Sequence, residues 1–181
     1  MRTALRWLIV ALGLPALAGC HSSPAAPALS DSPVYRSESE GFRFLVPEGW
    51  TQLSNSTLPS GKLDGEVFLV RYRLISSEAG ALFQVLCMTD SAADLVKHHA
   101  GPSFRAQEWD VVQPPEAVAV NGVDTERLLY KTLVDKKEMT KHVTCFRRNG
   151  RVYSFVGLYY PTDDIARQQI ERAVDSVIWE R

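Results

Sequence analysis

Most of the usual signatures of catalysis are missing from these 181 residues. There is no Gly-x-Ser-x-Gly elbow, no phosphate-binding P-loop, no Gly-x-Gly-x-x-Gly turn and no His-Glu-x-x-His helix. The spacings that assemble a strained nucleophile, a nucleotide cradle or a catalytic zinc are therefore absent. Only three cysteines occur and no two form Cys-x-x-Cys, which excludes a dithiol redox motif. No basic run is long enough to track a phosphate backbone, so nucleic acid is not an expected partner. The apolar stretch from Trp7 to Ala18 is also too short to cross a membrane as a helix, which takes about 20 residues.

What that short stretch does have is the layout of an export signal. Arg2 and Arg6 form a basic start, Trp7 to Leu14 an apolar centre, and small residues lead to Cys20. Leu17-Ala18-Gly19-Cys20 resembles the bacterial lipobox, an aliphatic residue and two small residues before a cysteine. The resemblance implies a signal peptide over residues 1–19 and a lipidated Cys20 at the mature N-terminus. Two or three acyl chains on one cysteine anchor a protein stably, at about 0.8 kcal/mol per buried CH₂. Residues 20–34 are rich in Ser, Pro and Ala and read as an extended tether, because they cannot bury enough surface to offset their ordering entropy. The expected location is membrane-anchored and facing the periplasm. His21, where an aspartate would favour inner-membrane retention, leans towards the outer membrane.

Residues 35–181 make one domain of ordinary size. Loss of Arg2 and Arg6 with the signal leaves 18 basic and 21 acidic residues, a net charge near −3. Cys87 and Cys145 both fall in predicted strands. They are either a disulfide pair, since an exported chain sits where disulfides persist, or two buried free thiols.

Along this domain the pattern is mostly strand. Tyr35 to Ser39 and Phe42 to Val46 flank a turn at Glu40-Gly41, closed by Pro47 with Trp50 beyond. A polar loop, Ser54 to Gly65, precedes alternating Glu66–Leu74 and the apolar run Ala81–Met88. Ser91 and Asp94 suggest a capping box opening a short helix through about His99, stopped by Gly101-Pro102. Glu116–Val120, Val123–Val134, Glu138–Arg147 and Arg151–Tyr160 then form an antiparallel meander. Asn121-Gly122 is the strongest hairpin signal among its connections. Thr162 can cap a closing helix whose Ala166, Ile170, Ala173, Val174 and Val177 share one face. A sheet with helices on it gives an α+β domain.

"EGFRFLVPEGW", the meander and a terminal helix ending in "AVDSVIW" together resemble the PsbP-like α/β/α sandwich superfamily. That group includes DcrB-like bacterial envelope lipoproteins and Ran-binding nuclear import factors. The resemblance covers most of residues 35–179 and implies a non-enzymatic binding or assembly module, with no catalytic residue to carry over.

The residues themselves offer few candidate sites, and the expectation is no catalytic, cofactor or metal site. His98 and His99 point about 100° apart on a helix and cannot readily share one metal ion. Asp94, four residues before His98, favours a local ion pair. His142 reads as a surface or packed histidine, and Asp163-Asp164 as charge at a helix start. Tyr153, Phe155, Tyr159 and Tyr160 read chiefly as packing, or else as a ligand-binding face. The leading functional reading is an envelope lipoprotein that binds another protein as an accessory subunit. The alternative is a carrier of a small molecule or lipid, and a hydrolytic enzyme is the least supported.

Overall fold

In the computed structural model, residues 33–53, 66–74, 80–89 and 94–180 are described. Their chain order is β1 (Val34–Ser37), β2 (Phe42–Leu45), β3 (Thr51–Gln52), β4 (Glu66–Arg73), β5 (Leu82–Met88), α1 (Leu95–Ala100), β6 (Asp110–Val120), β7 (Val123–Val134), β8 (Lys137–Arg148), β9 (Arg151–Tyr159), α2 (Asp164–Asp175) and β10 (Ile178–Trp179). A seven-stranded antiparallel sheet has the order β3-β4-β5-β9-β8-β7-β6, and β1, β2 and β10 form a second, small sheet. The meander is present as expected, with β9 inserted next to β5 at the centre. No helix among the described residues is long and apolar enough to cross a membrane.

Turn chemistry fixes the meander. Asn121 and Gly122, with φ of 48° and 78°, and Asn149 and Gly150, at 50° and 73°, occupy the left-handed conformation that a tight two-residue hairpin demands. Asp135 and Lys136 adopt the same geometry, at 50° and 67°, without a glycine. Asn121 also donates through its side-chain amide to the carbonyls of Asp175 and Val177, at 2.9 and 2.8 Å. The first hairpin is thereby fastened to the end of α2.

Period-two alternation divides the strands between two cores. Phe83, Val85, Cys87, Phe146, Tyr153, Phe155 and Tyr159 face α2 and the small sheet, where they meet Phe42, Phe44, Ile170 and Val174. Leu86, Met88, Met139, Val143, Cys145, Val152, Val156 and Leu158 face the other way, towards α1 and Trp109. Being covered on both sides, β9 is buried from Val152 to Tyr159, which explains its almost uninterrupted apolar run. The aromatics of "EGFRFLVPEGW" are structural: Phe42 and Phe44 lie 5.6 and 5.9 Å from the Phe155 ring, and Trp50 Nε1 donates to Gln169 Oε1 at 2.8 Å.

Several local expectations need correction. The first meander strand begins at Asp110, six residues before Glu116, and passes through Pro114-Pro115 by shifting its register against β7. Prolines are tolerated there because β6 is an edge strand. The cap of α1 is Asp94, which accepts from the Lys97 amide, while residues 91–93 lie outside the described residues. The cap of α2 is Asp163 and not Thr162, its side chain accepting from the Ala166 amide at 3.0 Å.

Candidate functional site

A cavity of about 670 Å³ lies on the α1 side of the large sheet. Its floor is built from β4, β5 and β9 by Phe68, Leu82, Leu86, Val156 and Leu158, residues that strand alternation sends to this face. Its walls come from α1, the segment of residues 101–105, the turn between β7 and β8, and Tyr160. Concavities of this size hold small molecules, and a mainly apolar lining with a few polar groups is their usual character.

The segment of residues 101–109 is strapped across β7 and β8, and Lys141 is the centre of the strap. Trp109 packs into the second core, and its indole Nε1 donates to the Ser103 carbonyl at 3.2 Å. Thr132 Oγ1 donates to the Glu108 carbonyl at 2.8 Å, and Tyr130 Oη to the Val96 carbonyl at 3.1 Å. Lys141, buried on β8, donates through Nζ to the His99 carbonyl and to Ser103 Oγ. Its ammonium also lies 4.3 Å from the Trp109 ring centre and 5.2 Å from that of Tyr130. Burial nevertheless pulls the Lys141 pKa down from 10.5 to about 7, Glu66 opposing the shift.

His98 and His99 diverge, as two successive helical residues must. His98 Nε2 lies 3.3 Å from Glu66 Oε1 on β4, so the expected ion pair with Asp94 is not formed and Asp94 serves as the cap. His99 turns inward, its Nε2 3.1 Å from Ser154 Oγ and 3.8 Å from Cys145 Sγ. Cys145 Sγ is in turn 3.5 Å from Ser154 Oγ. This trio has the residue types of a nucleophile and base, yet its electrostatics run the other way. Burial holds the thiol up at about 12 and pushes His99 well below the usual imidazole range, so both are neutral. Cys145 and Ser154 do not reach the cavity lining. The trio fastens α1 to the sheet. Sequence reasoning missed it because its members come from α1, β8 and β9 and share no local spacing.

The other candidate residues are placed as follows. Cys87 and Cys145 are free thiols on opposite faces of the sheet, in separate cores, which selects the second of the two sequence readings. His142 is packed within β8 towards α2, and burial lowers its pKa to about 4. Tyr153, Phe155 and Tyr159 belong to the core under α2, whereas Tyr160, at the end of the run, reaches the cavity. The cavity-facing side of β9 is thus carried by its aliphatic residues rather than by its aromatics. Cys20 and the loop 54–65 lie outside the described residues. Among the described residues no cluster of three His, Cys, Asp or Glu side chains could hold a metal ion.

No protein-family model matches the sequence, and no curated protein matches it. Solved structures do. The chain is similar to cyanobacterial PsbP (CyanoP) from Synechocystis sp. PCC 6803, with a TM-score of 0.58, 17% identity, and coverage of 89% of this chain and 99% of that one. A protein from Bacteroides thetaiotaomicron gives a TM-score of 0.55 at 8% identity, covering 83% of this chain and 49% of that one. LpqN of Mycobacterium tuberculosis, involved in cell envelope biogenesis, gives 0.43 at 12% identity, over 89% of this chain and 88% of that one. At such identities the likeness is one of architecture, and the described residues build a PsbP-like α+β domain.

Proposed function

We propose that this chain is an envelope lipoprotein whose PsbP-like domain is a non-enzymatic carrier, taking a small amphipathic molecule into the cavity against β4, β5 and β9. The observation that carries the reading is the cavity itself, about 670 Å³ with an aliphatic floor and a few charged groups at its walls. In this reading Cys20 holds the domain at the periplasmic face of a membrane by its lipid, with residues 21–34 as tether. No covalent step is assigned to the domain, because the cysteine–histidine–serine contact among the described residues is buried in its neutral form.

Of the two occupants that the sequence allows, a protein partner has less support. A specific protein interface needs about 800 Å² per partner with an apolar centre. Among the described residues the large exposed apolar side chains, Val34, Val67, Val111, Val112, Leu133, Ile165 and Ile178, are spread over six different elements. The test is native mass spectrometry of the chain purified without organic solvent, beside a Leu82→Trp variant that fills the floor. The expected result is a co-purifying mass of a few hundred daltons in the first and its loss in the second. A clean apo mass for the unmodified chain overturns the carrier reading.

A further inference from the structure

The cavity lining holds a guanidinium that no carboxylate of the described residues meets. Arg71 leaves β4 on the cavity side between two rings, its guanidinium 5.0 Å from the Phe68 centroid and 6.0 Å from that of Phe104. Its Nε donates to Gln84 Oε1 at 2.9 Å, and no carboxylate of the described residues pairs with it. The other charges along the lining are engaged. Glu66 is met by His98, Arg105 by Asp135 at 3.4 Å, and Lys141 by the His99 carbonyl, Ser103 and two rings. Glu66 also stands five residues away along β4, about 16 Å at strand rise, so its carboxylate does not serve Arg71.

A half-buried guanidinium with no carboxylate partner among the described residues favours an anion, and its planar fork matches the two oxygens of a carboxylate. Around Gln84 the rest of the floor is mainly aliphatic. Resting on the carrier reading above, we propose that the ligand is a single-chain amphiphile ending in a carboxylate, the carboxylate seated on Arg71 and the chain lying over Leu82, Leu86, Val156 and Leu158. An ammonium head meets a like charge there, and an alcohol leaves the guanidinium without its counter-ion. Nothing at the site is consumed or transferred, so the ligand leaves as it enters.

The experiment uses the purified full chain and a diazirine-bearing twelve-carbon carboxylate, with photolabelled peptides mapped by mass spectrometry. Dodecanoate and dodecan-1-ol compete for the label at pH 8, where the carboxylate is ionised. The expected result is labelling of β4, β5 and β9, with dodecanoate displacing the probe about tenfold or more better than the alcohol. In Arg71→Met this preference collapses to near unity while the alcohol still competes, and Arg71→Lys retains part of it. Equal competition by acid and alcohol, or a preference that survives Arg71→Met, overturns the carboxylate assignment and leaves the carrier reading standing. Absence of labelling on these strands by the probe, with neither compound competing, overturns the carrier reading as well.

Discussion

Replacing Lys141 with methionine isolates the effect of one buried charge on stability. The folded-state pKa is about 7 against an ordinary 10.5, so the unfolded chain binds more protons between those values. Stability therefore rises with pH through that window at up to about 1.4 kcal/mol per pH unit, and is flat in this group below it. The sign follows from protonation: below pH 7 the folded protein carries the ammonium in a poorly solvated place, and above it the group enters the fold neutral. Between pH 7 and pH 9 the unmodified chain should gain about 2 kcal/mol relative to Lys141→Met. The two hydrogen bonds from Nζ to the His99 carbonyl and Ser103 Oγ add an offset that the variant loses at both values. Taking the difference between the two proteins cancels the titration of the tyrosines and of Cys145. Urea unfolding at pH 7 and pH 9 measures it directly. A difference that stays constant to within about 0.5 kcal/mol between the two pH values refutes the argument, and with it the placement of Lys141 in a dry strap.

Two further outcomes follow from packing. Gly157 sits on β9 where an added Cβ would come within 2.5 Å of Ile170 Cγ2 and 2.8 Å of its Cδ1, so Gly157→Ala should lever α2 off the sheet. A loss of about 1–3 kcal/mol in denaturant unfolding is expected, and an unchanged midpoint contradicts it. Cys87 and Cys145, both buried and free, should resist maleimide labelling in the native protein and label fully in urea. Adding a reductant should leave the melting temperature unchanged, whereas a drop of several degrees would reveal a bond between them.

Legibility differed between the two sides of the sheet. The meander was readable because its turn signals are local. Asn121-Gly122 and Asn149-Gly150 state in two residues a left-handed turn geometry that joins such strands closely. The packing of α2 was equally open, since Ala166, Ile170, Ala173 and Val174 repeat at helical period and are the residues that become buried. The cavity was not. Its floor is made of the alternate residues of strands whose sequence looks apolar throughout, so nothing in β5 or β9 marks which side is left uncovered. Arg71, which no carboxylate of the described residues meets, stands in an alternating strand where an arginine reads as a solvent-facing residue. Lys141 was invisible for a similar reason: strand alternation gives no hint that the neighbour of a buried lysine is Trp109, 32 residues earlier in the chain. His98 was misassigned because a local acid, Asp94, is always the simpler partner on paper, while Glu66 is brought to it only by the fold.

The outer rims of the seven-stranded sheet have a bearing on crowding. If copies are tethered to a membrane, they meet at far higher local concentration than free protein, and open strand rims are then sites for one molecule to zip onto the next. One rim is β3, only two residues long. The other, β6, is long and well exposed, but Pro114 and Pro115 remove two consecutive N–H groups at its middle and its register shifts around them. Among the described residues, an incoming strand finds no continuous row of donors on either rim. The proline pair that obscured this strand in the sequence thus leaves that rim poorly suited to accept an added strand.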